Sequence, residues 1–282
     1  MNALRRLAYR SDLLALARFL RLTDVLRESY YRWAVSPGNI LRASLGGIGV
    51  QFRACTPAEL RAVEGTLVAE QDFMRVLIST LRPGDVFFDV GSHIGQFTIP
   101  MSKVVGDEGQ VIAFEPEVKA CERLLDHLKL NTLSNVRIFR QALGDQNGSG
   151  RLFVGGGACP SLVAHEGDSE QQRAAEEVDI VQGDCVVRAE GLPIPRAVKI
   201  DVEGYEYSVL RGLQQTLAHP ACKLLCCEIH PSFLPPEVNV TVIVEFVRTL
   251  GFTHIDMPPR WTQIHMIAYK ERAEAKTCDA PA

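Results

Sequence analysis

The stretch Val86-Phe87-Phe88-Asp89-Val90-Gly91-Ser92-His93-Ile94-Gly95 constrains the fold of this chain more than any other. An apolar run ends in a carboxylate, a glycine turn follows, and Phe97-Thr98-Ile99-Pro100-Met101 then reads as helix. A strand that empties into such a turn is a nucleotide-type cradle. Glycine permits tight backbone geometry and close ligand approach, and the first turn of a helix carries N–H groups with no partner inside the helix. The spacing is Asp-x-Gly-x-x-x-Gly. The Gly-x-Gly-x-x-Gly that admits a dinucleotide pyrophosphate is absent.

From this turn onward the chain alternates. The spacing predicts strands over Val86–Val90, Gln110–Glu115, Val136–Arg140, Ala197–Val202 and Lys223–Ile229, and helices over Thr98–Val105, Lys119–Leu130 and Thr241–Leu250. Thr253–Asp256 and Ile264–Tyr269 read as a terminal strand pair. Strands alternating with helices imply a doubly wound α/β fold, a mostly parallel sheet with right-handed crossovers and helices on both faces. Two inserts interrupt it. Gly144–Gly157 is turn-rich with a hairpin around Arg151–Val154, and Gly167–Glu177 is polar enough to expect a mobile loop beside the site. Upstream, Ser36-Pro37-Gly38-Asn39 breaks a first helical region, and Gly46-Gly47 precedes a short strand over Val50–Arg53. Pro57 suits a helix start, and a helix over Val68–Leu81 stops at Arg82-Pro83-Gly84. The chain thus divides into an N-terminal helical extension (1–60), an α/β domain (61–271) and a disordered tail (272–282).

Composition excludes some classes. A net charge of −4 gives no reason to expect nucleic acid as a partner. The eight cysteines show no metal-ligand spacing, and Cys226-Cys227 sits on an apolar run that suits buried thiols. With no secretory signal, the expectation is a reducing, cytoplasmic setting. No apolar run reaches the ~18 residues of a membrane span. Leu13, Leu14, Leu16, Ala17, Leu20 and Leu22 form an apolar helical face among Arg5, Arg6, Arg10, Arg18, Arg21, Arg27 and Arg32. Such a face packs on its own domain, docks on a partner such as a second copy, or lies on a membrane surface.

In open α/β sheets, ligands bind beyond the carboxyl ends of the strands. That rule selects Asp89 with Gly91, Ser92, His93 and Gly95, then Glu115 and Pro116, then Gln141, Ala142 and Leu143, then Lys199, Asp201 and Glu203, and finally Glu228 and His230. Glu115 lies 20 residues past Gly95, where a carboxylate can accept both hydroxyls of a ribose. A zwitterionic amino-acid end would need carboxylates as well as N–H donors, which Asp89 and Glu70 suit; otherwise Glu70 is a solvated helix residue.

At this point a resemblance emerges. Gly84 through Gly95, Ala113-Phe114-Glu115-Pro116, Ala142-Leu143-Gly144-Asp145, Val198-Lys199-Ile200-Asp201-Val202-Glu203-Gly204 and Cys227-Glu228-Ile229-His230 occur in the order of the FkbM-type methyltransferases. The resemblance runs from about Glu70 to Phe252, and the Lys-Ile-Asp-Val-Glu-Gly segment is its most specific part. It implies a class I methyltransferase domain and O-methylation of a hydroxyl on a sugar, glycan or polyketide-type molecule with S-adenosylmethionine. The turn departs from the family's Gly-Ala-Asn-Ile-Gly, since Ser92 and His93 replace alanine and asparagine. The family's Leu-Asp-Asp is partly kept at Gly183-Asp184-Cys185, which carries a role over to Asp184. Pro160-Ser161-Leu162 falls at its serine loop, which makes Ser161 a substrate-side candidate. The resemblance puts Glu70, Asp89, Gly91, Ser92, His93, Gly95, Glu115, Pro116, Gln141, Ala142 and Asp201 at the cofactor.

Methyl transfer from a sulfonium is an in-line displacement that needs positioning and a base for the alcohol. Three readings of Lys199, Asp201, Glu203 and His230 follow. One of the carboxylates or His230 is the base, with His230 favoured because its ordinary pKa suits neutral pH. Alternatively the acidic cluster holds Mg²⁺ or Ca²⁺, a reading not favoured. Or Lys199 and Glu203 form a structural ion pair and His230 only orients. Strand alternation would put Asp201 and Glu203 on one face if the strand reaches them. His127, His165, His219, His254 and His265 read as surface or packing residues. The competing functions are a binding module that has lost activity and, less favoured, a nicotinamide-dependent oxidoreductase.

Overall fold

A computed structural model describes residues 35, 40–54, 56, 59–60, 63–64, 70–154, 161–163, 174–258 and 263–270. The arginine-rich N-terminal segment, Ser36–Asn39, Pro57, His165 and the tail after Lys270 lie outside the described residues.

The central sheet uses seven strands: β3 (Val86–Val90), β4 (Gln110–Phe114), β5 (Val136–Phe139), β9 (Ala197–Ile200), β10 (Leu224–Ile229), β11 (His254–Asp256) and β12 (Ile264–Tyr269). Their order is β11-β12-β10-β9-β3-β4-β5. The five strands from β10 to β5 pair in parallel, and β12 inserts antiparallel beside β10. This is the doubly wound, mostly parallel sheet the alternation predicted, and its antiparallel terminal strand β12 agrees with the class I methyltransferase fold the resemblance implied. The order reverses at β3, so β3 and β9 leave a crevice at their carboxyl ends.

Period-two alternation builds a core on each face. Phe88, Val90, Ile112, Phe114, Ile200 and Cys227 pack with helices α5 (Glu206–Gly212), α6 (Gln214–Ala218) and α7 (Val240–Thr249). Phe87, Val111, Ala113 and Cys226 face α1 (Gln71–Thr80), α2 (Thr98–Val105) and α3 (Val118–Leu130). Each fully buried phenylalanine contributes about 1.5–3 kcal/mol. The adjacent thiols Cys226 and Cys227 are thus buried on opposite faces, as packing residues.

Two regions differ from expectation. Residues 40–53, inside the supposed helical extension, form an antiparallel hairpin of β1 (Ile40–Leu45) and β2 (Ile48–Arg53). Its Gly46-Gly47 turn takes φ of +56° and +90°, the backbone a two-residue hairpin requires. The hairpin seats on α3. Asn131 Oδ1 accepts the Gln51 N–H at 3.0 Å, and its amide donates to the Gln51 carbonyl at 2.6 Å. His127 Nδ1 lies 2.8 Å from the Ile94 carbonyl and can donate to it, while Nε2 accepts the Arg53 N–H at 3.1 Å. His127 is therefore a packing residue. The expected Val68–Leu81 helix is α1, described from Gln71. Lastly, β6 (Ala142–Gly144), β7 (Gly148–Val154) and β8 (Ala174–Gln182) make a separate three-stranded sheet of order β6-β8-β7. Residues 174–177 of the expected mobile loop are strand, zipped to Arg151–Val154. Asp184, at the start of α4 (Gly183–Ala189), accepts the Gln215 and Thr216 N–H groups at 2.7 and 2.9 Å and the Thr216 hydroxyl at 2.7 Å. It caps α6 and stands away from the cavity.

Candidate active site

A cavity of about 220 Å³ opens at the β3–β9 crevice. Glu70, Gly91, Ser92, His93, Glu115, Pro116, Gln141, Ala142, Lys199, Asp201 and Glu203 all border it. Most of the expected residues therefore converge. Asp89 and Gly95 stand behind the wall, His230 lies one residue away behind Glu203, and Glu228, Ser161 and Asp184 do not border the cavity.

The glycine turn is shaped by packing more than by ligand approach. Gly91, His93 and Gly95 have φ of +76°, +46° and +96°. A Cβ on Gly91 would fall 1.9 Å from the Asp201 carbonyl oxygen, and one on Gly95 would fall 2.6 Å from Leu124 Cδ1. Asparagine and histidine are among the non-glycine residues most tolerated in the left-handed region, so His93 fits where the family carries asparagine. What the loop needs from this position is its backbone: the His93 N–H donates to Glu115 Oε2 at 2.7 Å.

Glu115 leaves β4 with its carboxylate also accepting the Glu117 N–H at 2.9 Å. Burial pushes its pKa up to about 7, against the pull of those two N–H groups. Beneath the turn, Asp89 is fully buried; Thr98 Oγ1 donates to it at 2.5 Å and Lys199 Nζ lies 3.8 Å away. Burial raises the Asp89 pKa against the attraction of Lys199. Asp89 is thus a support for Lys199 and the turn.

Lys199 Nζ donates to the Gly91 carbonyl at 3.2 Å and sits 3.2 Å from Asp201 Oδ2. Burial opposes its charge, but Asp201 and Asp89 outweigh burial and hold its pKa above the ordinary lysine value. Asp201 shows the mirror effect: burial pushes upward, and Lys199 with His230 holds it below the usual carboxylate range. The reading in which Lys199 pairs with Glu203 is not met: Lys199 instead bridges Asp89 and Asp201. Strand alternation does not align Asp201 with Glu203 either, because β9 ends at Ile200. Their convergence comes from a tight turn in which Glu203 takes φ +50° and Gly204 φ +100°.

Glu203 Oε2 lies 3.3 Å from His230 Nε2, and His230 Nδ1 lies 2.6 Å from Glu206 Oε1. The same Glu206 oxygen accepts the Gly204 N–H at 2.8 Å. Burial works against the imidazolium, but the Glu206 hydrogen bond and the Asp201 and Glu203 charges push the His230 pKa up to about 9. At neutral pH His230 is therefore charged, which removes the reason for preferring it as base. Glu206 is the residue that sequence reasoning missed. The available signal was a carboxylate two residues after Gly204, at a helix start.

Ligand atoms of Asp201, Glu203 and His230 lie within 4.8 Å of one another, as do those of Glu70, Asp201 and Glu228. Either set has donors suited to a hard cation, although Lys199 and His230 already bring positive charge to it. Ser161 also reaches this region, through the Glu203 backbone. His265 stacks on Phe73 with centroids 4.0 Å apart, a packing role, and His219 and His254 are exposed. Among the described residues no helix is long and apolar enough to cross a membrane.

The profile of the methyltransferase FkbM domain matches residues 89–253. The hexuronic acid methyltransferase AglP of Haloferax volcanii is 27% identical over 198 residues, covering 70% of this chain and 77% of that protein. A 23S rRNA uracil methyltransferase, RlmD of Acinetobacter baumannii, is 27% identical over 103 residues, covering 36% of this chain and 22% of its own. Among solved structures, the methyltransferase FkbM from Methylobacillus flagellatus KT aligns with TM-score 0.47 and 13% identity, over 88% of this chain and 59% of that one. The chain thus spans under two thirds of that structure and about a fifth of RlmD.

Proposed function

The chain belongs to the methyltransferase FkbM domain family, and from that premise we propose that it transfers the methyl group of S-adenosylmethionine to a hydroxyl of a sugar, glycan or polyketide-type small molecule. One observation carries the reading: a single acid-rich cavity bordered by Glu115, at the end of β4, and by Glu70, Asp201 and Glu203. S-adenosylmethionine bears a sulfonium and an ammonium, which suit a wall containing Glu70, Asp201 and Glu203. Glu115 would take the ribose hydroxyls, Gln141 and Ala142 would flank the adenine, and Glu70 with the Gly91–His93 turn would hold the amino-acid end. Ser92 Oγ, buried with no hydrogen-bond partner, is a further group a ligand would satisfy. The cofactor supplies an already activated methyl carbon. The chain's own residues position the acceptor and take its proton. Asp201 is held below the usual carboxylate range by two cations, Lys199 and His230, so this reading gives the base to Glu203, which borders the cavity and shares His230 with it, and no divalent ion is required.

A hexuronic acid offers both hydroxyl and carboxylate oxygens. An anionic acceptor would face three carboxylates at this wall, while Lys199 is engaged by Asp89 and Asp201. The charge therefore favours a neutral hydroxyl. Incubation with S-adenosylmethionine and either methyl hexosides or hexuronic acids separates the two. Ether products support the reading, and alkali-labile methyl esters would overturn it.

Cofactor binding has its own test. Glu115→Ala should weaken S-adenosylhomocysteine roughly 100-fold by calorimetry, the scale of two lost hydrogen bonds to a charged group. Glu115 accepts both hydroxyls only when ionised. Wild-type affinity should therefore rise with pH through about 7 and level off above it. A pH-independent affinity in the wild type, or binding of NAD in preference, counts against this assignment.

A further inference from the structure

We propose that Ser161 is a positioning residue for Glu203: its hydroxyl clamps the Glu203 carbonyl and so fixes the turn that presents the Glu203 carboxylate to the cavity. The inference rests on the reading of Glu203 as the base. Ser161 Oγ donates to the Glu203 carbonyl at 2.8 Å and accepts the Val163 N–H at 3.0 Å. Its own backbone is already satisfied, because N–H and carbonyl exchange hydrogen bonds with Phe153 of β7 at 3.2 and 2.8 Å. The residue is 1% exposed. The hydroxyl thus reaches across 42 positions of chain to one carbonyl, that of a non-glycine residue in the left-handed region.

A side chain in that conformation persists only where its surroundings over-determine it. Glu203 is tied at three points: its carbonyl by Ser161, the following N–H by Glu206, and its carboxylate by His230. Gly204 follows at φ +100° and packs closely on Phe233, where an added Cβ would fall 2.5 Å from Phe233 Cβ. Of these ties, that of Ser161 comes from the segment bridged to Phe153 of β7. Leu152 and Leu162, on either side of the Phe153–Ser161 bridge, border the same cavity. The clamp therefore registers an apolar acceptor-side wall against the base.

The test needs no acceptor. Sinefungin carries an amine-bearing carbon in place of the sulfonium and its methyl, so its ammonium probes the space where the base works. S-adenosylhomocysteine lacks that group. Ser161→Ala is expected to weaken sinefungin roughly tenfold, the scale of one charge-assisted contact, with S-adenosylhomocysteine affinity within about twofold of wild type. Ser161→Thr, which keeps the hydroxyl, should restore the preference. Glu203→Gln should weaken sinefungin similarly, and the double variant should lose no more than either single one. An unchanged preference in Ser161→Ala beside a lost one in Glu203→Gln would overturn the clamp alone. An unchanged preference in both would overturn the clamp and the base assignment together.

Discussion

Replacing His230 by alanine is expected to destabilise the fold by roughly 3–5 kcal/mol, because truncating one partner of a buried charged pair leaves the other uncompensated. The uncompensated group is Glu206, which is fully buried and 2.6 Å from the ring. Chemical denaturation at neutral pH measures the loss. The pH dependence identifies its origin. A histidine whose folded pKa rises from 6.5 to about 9 stabilises fully below pH 6.5, and that contribution disappears as pH climbs through 9. A rise of that size corresponds to roughly 3 kcal/mol, undiminished by solvent screening because His230 is 3% exposed. Glu115 has the same sign in a lower window: its raised pKa costs stability progressively from about pH 4.5 to about 7. Between pH 7 and 8, below the range where the buried thiols of Cys121, Cys222, Cys226 and Cys227 lose their own stabilisation, the wild type should therefore lose stability more steeply than His230→Ala. Parallel slopes in the two proteins would show that the imidazolium is not held by these carboxylates.

Gly91→Ala is the second large effect expected, with a loss of more than ~3 kcal/mol and of measurable S-adenosylhomocysteine binding. Two costs combine. The left-handed backbone at φ +76° alone costs an alanine about 1 kcal/mol. The larger cost is the added methyl, which would lie 1.9 Å from the Asp201 carbonyl. It must separate β3 from the exit of β9 and so displace Lys199 and Asp201. Gly84→Ala is the control. Its φ is +87°, yet a Cβ there has nothing within 4 Å, so it should cost only the backbone term. Equal losses in the two variants would mean that the close approach to Asp201 carries no weight.

Much of the central sheet could be read from the residues because its signals are local. Phe87 and Phe88 must face opposite cores, and Thr98–Val105 follows directly from the glycine turn. The small sheet was harder. Ala174–Gln182 opens with Ala-Ala-Glu-Glu and alternates clearly only from Val178, so its partner 20 or more residues earlier in the chain was hidden by charge. The hairpin strand Ile40–Leu45 was legible in principle, since Gly46-Gly47 between two apolar segments is a two-residue turn signal. At the site, types and rough positions were readable, but pairings were not. Which carboxylates Lys199 meets depends on the β3–β9 register that sets it beside Asp89, and the charge on His230 depends first on Glu206. Glu206 escaped for the same reason: its importance lies in bonding Gly204 and His230 at once.

The strand order also bears on how the chain assembles during synthesis. One half of the sheet, β3 to β5, comes from residues 86–139, and the other half begins with β9 at residue 197. Until β9 arrives, β3 has an unpaired edge and the Gly91 carbonyl lacks Lys199. The cavity straddles that seam, so it comes into being only when the two halves join, a long-range closure of the slow kind. A ribosome-bound chain halted before residue 197 would hold the glycine turn and Glu115 and still have no completed cavity. Ligand capture would thus mark the moment at which the sheet closes.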